Sequence, residues 1–340
     1  MNTDVKDRAP RNRTLTLDAD ERERLSKKLL RPPLQVNMSL LTDQIICGNS
    51  INLMSELPAR LVDLLILDCP YNLTKTFGFE NFREKSSQEY ERWFESWFVK
   101  VLPALKTTSS LYVCGDWKCS AAIYNVLDRH VIIRNRITWE REKGRGANAN
   151  WKNASEDVWF ATFSDEYYFN VEAVKLKRRV LAPYRENGKP KDWDASVDGS
   201  FRLTHPSNLW TDLTVPFWSM PENTDHPTQK PEKLFAKMIL ASSREDDLVF
   251  DPFLGSGTSA AVARKLKRRF LAVEQDETYA CLAVKRVELA ERDPAIQGYS
   301  EGVFWERNTL SLQMRQSRSP SVCQSDFFES SVSSATKIGS

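Results

Sequence analysis

No run of apolar residues approaches the roughly 20 needed to cross a bilayer, and the start, Met1-Asn2-Thr3-Asp4, carries no apolar signal region. These absences lead to the expectation of a soluble protein that stays in the cytoplasm, with no membrane partner. Cysteine is scarce: the six (Cys47, Cys69, Cys114, Cys119, Cys281, Cys323) form no CxxC pair. The three histidines, His130, His205 and His226, lack metal-ligand spacing, so no metal site is expected. Charge of one sign is also missing in bulk. With a net charge of +2, any surface for a polyanion must be a local patch. What is present is ample apolar material, 41% of 340 residues, enough for one large or two ordinary domains.

The chain turns on Asp68-Cys69-Pro70-Tyr71, which ends the apolar run Leu64-Leu65-Ile66-Leu67. Such a run, stopped by proline, reads as a buried strand that delivers a carboxylate and an aromatic ring at its carboxyl end. Upstream, residues 1–36 form a charged arm with one short helix, capped by Asp18 with Glu21 in a capping box and closed by Pro32-Pro33. Gln44 to Cys47 reads as a strand and Ser50 to Leu57 as a helix, so this strand and the one ending at Asp68 are expected to be parallel neighbours. Asn49 and Asp68 then share one edge of the sheet.

Residues 73–86, with Phe77, Phe79 and Phe82, read either as a mobile loop beside a site or as packed rings. A helix opened by Ser86 and Glu89 follows, with an aromatic stripe from Tyr90 to Leu102 that suits a core. Ser110 to Cys114 and Val131 to Trp139 read as strands flanking a helix at 121–127. Strands alternating with helices argue for a doubly wound, mostly parallel α/β sheet of Rossmann-like type. Between 140 and 225 periodicity fades. Residues 171–192 hold seven Lys or Arg against three Asp or Glu. Interleaved with aromatics, these cations suit a phosphate backbone; a solvated charged face is the plain alternative.

Order returns at His226-Pro227-Thr228-Gln229-Lys230-Pro231. A helix, the strand Leu248-Val249-Phe250, the turn Asp251-Pro252-Phe253-Leu254-Gly255-Ser256-Gly257-Thr258, another helix and the strand ending at Glu274 come next. An acid 23 residues past Asp251 can accept ribose hydroxyls. The third glycine of a dinucleotide fingerprint is replaced by Ala260, so a nucleoside without a pyrophosphate, such as S-adenosylmethionine, fits better than NAD.

Leu67-Asp68-Cys69-Pro70-Tyr71-Asn72-Leu73, the His226 to Pro231 segment and Phe250 to Thr258, in that order, resemble the amino-directed DNA methyltransferases of the permuted beta arrangement, with a D-P-P-Y motif. The resemblance implies an S-adenosylmethionine-dependent methyltransferase fold with an inserted target-recognition region. On it, the chain divides into an arm (1–36), a catalytic part (37–140), a target-recognition region (141–225), a cofactor part (226–310) and a disordered Ser-rich tail (311–340). It implies methyl transfer to N6 of a flipped adenine in double-stranded DNA, within a restriction-modification system, with N4 of cytosine as the alternative. A non-catalytic DNA-binding or cofactor-sensing relative is the alternative of another class. Catalysis falls to Asp68, Cys69, Pro70 and Tyr71. Cofactor contacts fall to Asn49, Lys230, Asp251, Phe253, Gly255, Gly257, Thr258 and Glu274. DNA contacts fall to Lys143, Arg145, Lys175, Lys177, Arg178 and Arg179. A homodimer, a cognate restriction endonuclease and association with the nucleoid are also compatible with it. The departure is Cys69, where proline is usual. Because the acceptor there is a backbone carbonyl, chemistry should survive.

Overall fold

The computed structural model describes residues 9–33, 41–77, 80–141, 149–180, 184–196, 199–309 and 313. The Ser-rich tail, Gln313 apart, lies outside them, as do Lys143 and Arg145.

Eight strands make the main sheet: β1 (Gln44–Cys47), β2 (Val62–Leu67), β3 (Leu105–Gly115), β4 (Ile132–Glu140), β5 (Ser155–Thr162), β6 (Leu209–Trp210), β7 (Leu248–Asp251) and β8 (Arg269–Glu274), in the order β1-β8-β7-β2-β3-β5-β4-β6. The first five in that order run parallel, and β5 is antiparallel to both β3 and β4. Side chains alternate between two apolar layers, as strand geometry requires. Leu64, Ile66, Phe270 and Ala272 face the layer of helices α5 (Glu232–Ser242), α6 (Thr258–Lys265) and α7 (Glu277–Arg292). Leu65, Leu67, Leu271 and Val273 face α3 (Ser87–Val101) and α4 (Trp117–His130). The sheet is therefore wound on both faces.

The N-terminal strands are not neighbours as expected. β8 and β7 lie between β1 and β2, three strand spacings or about 14 Å apart. The helix predicted for 50–57 shortens to α2 (Ser50–Leu53) and a 3-10 turn, Met54–Glu56, leaving the connection free to span that gap. A second correction is β5. It lies where periodicity fades, yet Val158 to Ala161 are buried in the middle of the sheet. A smaller five-stranded sheet joins Leu176–Arg179, Asp194–Ser196 and Gly199–Thr204 to Tyr299–Ser300 and Val303–Trp305.

Local signals hold elsewhere. Ser86 and Glu89 form the capping box of α3, whose Tyr90, Phe94, Trp97, Phe98 and Val101 are buried. Each such ring contributes about 2–3 kcal/mol by leaving water. The described part of the arm, residues 9–33, is docked on the domain. Its helix α1 (Ala19–Ser26), capped by Asp18 and Glu21, inserts Leu25 into the core, and Arg24 donates through Nη1 and Nη2 to Glu288 of α7 at 2.7 and 2.9 Å. No helix among the described residues is long and apolar enough to cross a membrane.

Candidate active site

The carboxyl ends of β1, β2, β7 and β8 open onto one cavity of about 370 Å³. Asn49, Asp68, Cys69, Pro70, Tyr71, Lys230, Asp251, Phe253, Gly255, Thr258 and Glu274 all line it. Segments almost two hundred positions apart thus share a pocket, because their parallel strands end at the same edge.

At the β2 end, Asp68 is gripped by Lys230, whose Nζ donates to Oδ1 at 2.8 Å and Oδ2 at 2.9 Å. Burial alone would lower the Lys230 pKa, but Asp68 and Glu156 overcome it and hold the ammonium above its usual value. Tyr71 donates its hydroxyl to Glu156 Oε2 at 2.9 Å, and Lys230 sits 4.9 Å from the centre of its ring. Burial, then the negative charge of Glu156, push the phenol well above its usual value. Cys69 points into the core, 3.8 Å from the Tyr90 hydroxyl, and burial raises its thiol to about 12. An inert thiol facing inward is a packing element. Tyr90 also donates to the Pro70 carbonyl at 3.0 Å, so the bend is held from beneath.

At the other end of the cavity, Glu274 accepts from the backbone N–H of Gly255 at 2.7 Å and of Asp276 at 2.8 Å. Asp251 accepts from the Phe253 N–H at 2.9 Å and from the Ser259 hydroxyl. Burial raises both carboxyls to about 7, more than these bonds lower them. Gly255 has φ +56°, and a Cβ there would stand 3.1 Å from His226 Nε2. Asn49 caps α2 through Oδ1 and sends Nδ2 toward Gln275 at 3.5 Å. Phe253 packs edge-on against Trp97, with ring centres 5.0 Å apart. The Thr258 hydroxyl is taken up inside the protein, accepting from Arg286 at 2.8 Å and donating to the Lys230 carbonyl at 3.3 Å.

Gly257 does not line the cavity. Its φ is +90°, and a Cβ would meet Ala283 Cβ at 2.5 Å and Cα at 2.6 Å, so its missing side chain serves the contact of α6 with α7. Nor do those of the predicted DNA contacts that lie among the described residues line it. Lys175 pairs with Glu172, Lys177 stands 4.4 Å over Trp305, and Arg178 donates to Glu306 at 3.2 Å; Arg179 is exposed.

Other lining residues were assigned no role from the motifs, although His226 opens the segment that ends at Pro231. His226 stands edge-on to Tyr279, ring centres 4.5 Å apart, and Phe82 and Trp93 form an aromatic wall at 5.1 Å. The loop bearing Lys230 is locked from below: Glu232 pairs with Arg286 at 3.0 Å and Lys265 at 2.6 Å, and Gln229 donates to the Glu222 carbonyl at 2.7 Å.

An open parallel sheet whose strand ends present an acid-proline-aromatic bend beside a glycine turn is the layout of a methyltransferase. The family model for DNA methylases acting on N6 or N4 amines matches residues 62–285, and the chain belongs to that family. It is a DNA methyltransferase. Among curated relatives it is 30% identical over 257 residues to the DNA adenine methyltransferase YhdJ of Escherichia coli K12, spanning 72% of this chain and 83% of that one. It is 29% identical to the Type II methyltransferase M.HpaI of Haemophilus parainfluenzae, over 73% of this chain and 75% of that one. The solved PvuII DNA methyltransferase, cytosine-N4-specific, shares the fold at a TM-score of 0.50 and 20% identity, over 73% of this chain and 91% of that one.

Proposed function

We propose that the chain methylates N6 of an adenine flipped out of double-stranded DNA, at a specific sequence, using S-adenosylmethionine. The observation that carries this reading is the single cavity shared by Asp68 and by the Gly255 to Glu274 turn. The residues present suit the cofactor: the glycine turn leaves room for a ligand, Glu274 offers lone pairs to ribose hydroxyls, and two carboxyls favour a cationic ligand. When bound, the cofactor supplies an electrophilic methyl group on a sulfonium.

The amine of adenine is a poor nucleophile because its lone pair is delocalised into the ring. Asp68 and the Cys69 carbonyl hold its two N–H groups and orient that lone pair toward the methyl. Asp68 or solvent takes the proton after transfer. Tyr71, fixed by Glu156, offers its ring to the flipped base, with Phe82 and Trp93 on the cavity wall. Asn49, Asp251, Phe253 and Gly255 frame the cofactor side, and Lys230 serves Asp68. The permuted order, the D-P-P-Y class with cysteine at its second position, and the basic residues of 141–225 as the DNA surface belong to the same reading. So do action on the nucleoid, a cognate endonuclease, and pairing of two copies. An aspartate opening the tetrapeptide, and a relative named for adenine, favour adenine over cytosine.

Nucleoside analysis of plasmid DNA methylated by the purified protein is the test. N6-methyladenine is expected, and N4-methylcytosine would overturn the choice of base. Asp68→Ala should abolish incorporation while cofactor binding persists; near-normal turnover would refute the role of Asp68.

A further inference from the structure

Glu156 belongs to no sequence motif and does not line the cavity, yet it sits behind the Tyr71 and Lys230 side chains. The Lys230 ammonium that grips Asp68 lies only 3.6 Å from Glu156 Oε2. The same oxygen accepts from the Tyr71 hydroxyl, and Arg141 pairs with the other. Lys230 and Glu156 are 6% and 3% exposed, so water screens this exchange little. One buried cation is thus shared unequally between two carboxylates.

A cation held on a carboxylate competes with the next donor that carboxylate must accept. We propose that Glu156 is a positioning residue: it draws the Lys230 ammonium away from Asp68 as the target amine docks, so that Asp68 engages the amine at full strength. The proposal rests on the role of Asp68 given above. Lys230 from the loop before α5, Glu156 from β5, Cys114 from β3, Asp251 from β7, and Cys69 and Tyr71 beside Asp68 are the titratable groups facing it. Among them Lys230 is the cation, and Glu156 is the acceptor that shares it.

The test is steady-state methylation across pH for Glu156→Gln, Lys230→Met and Lys230→Arg in the full chain. Glu156→Gln leaves the ammonium to Asp68 alone. Its kcat should fall roughly 10- to 100-fold, less than for a group that itself handles the proton, with the cofactor KM nearly unchanged. Its acid limb should move down by about one pH unit. Lys230→Met removes the cation and should move that limb up, and Lys230→Arg should restore part of the rate. Limbs that stay put, or that move in the same direction in Glu156→Gln and Lys230→Met, would overturn the proposal. Glu156→Gln strands Arg141 and could fail to fold, so Tyr71→Phe is the second variant. It frees Glu156 of a donor and should move the limb up, and no movement overturns the proposal. Asp68→Asn run beside these separates the failures. An active Asp68→Asn sinks the role of Asp68; a dead one with unmoved limbs in the other variants sinks only the inference about Glu156.

Discussion

Gly257→Ala tests whether the second glycine of the turn serves the ligand or the fold. A methyl placed there would stand 2.5 Å from Ala283 Cβ and 2.6 Å from its Cα, where a backbone atom cannot step aside as a flexible side-chain end would. A left-handed residue at φ +90° adds strain of its own. The strain is worth about 1–2 kcal/mol and the overpacking about 1–3 kcal/mol, so the loss should total about 2–5 kcal/mol. For a chain of 340 residues that is a fall in Tm on the order of 3–7 °C. Gly302→Ala isolates the strain, since φ is +74° there and nothing lies within 4 Å; it should cost only the smaller part. Thermal melts of both variants, with cofactor titrated onto the folded protein at low temperature, make the comparison. If Gly257→Ala melts like the parent but binds cofactor poorly, the glycine belongs to the ligand after all and the packing argument is wrong.

Glu274→Gln keeps the side chain's shape but turns one acceptor into a donor facing a backbone N–H, of Gly255 or of Asp276. The loss of a charge-assisted bond, about 1.5–3 kcal/mol, should appear as roughly 10- to 100-fold weaker cofactor binding by calorimetry, and unchanged affinity would exclude ribose recognition there. Because Asp251 and Glu274 sit near 7, affinity for a cationic cofactor should rise from pH 6 to 8 with proton release below 7, measurable in buffers of different ionisation enthalpy. Without ligand the sign reverses. The folded chain keeps protons that the unfolded chain loses near pH 4, so these two groups should make stability decline from about pH 4 to 7, visible in urea melts. Arg179→Ala should reduce the salt slope of DNA binding by about 0.9, and Arg178→Ala by less, since Glu306 already neutralises Arg178; equal slopes would disprove that distinction.

The edge that carries the site was legible because its two motifs each close an apolar strand, and parallel strands must release their side chains at the same end. Strand neighbours were not legible. Leu64 to Leu67 and Phe270 to Val273 are equally apolar, and no local feature says that β8 and β7 enter between β1 and β2. β5 was missed because its run, Val158 to Ala161, is short and buried on both faces, leaving no alternation to detect. At Gly257 the ambiguity is of a different kind: in a one-dimensional motif, a glycine that clears space for a ligand looks the same as one that clears space for a helix. Glu156 could not be found at all, since its meaning lies in a distance to Lys230 across 74 positions of chain.

The strand order also governs how the molecule can be made. Until residues 248–274 leave the ribosome, β1 has no partner on its inner side and β2 has only β3, so two unsatisfied edges wait in the nascent chain for a late unit that wedges between them. The centre of the sheet therefore closes only once β7 and β8 have emerged, and the reaction chamber takes shape with them rather than with the strands made first.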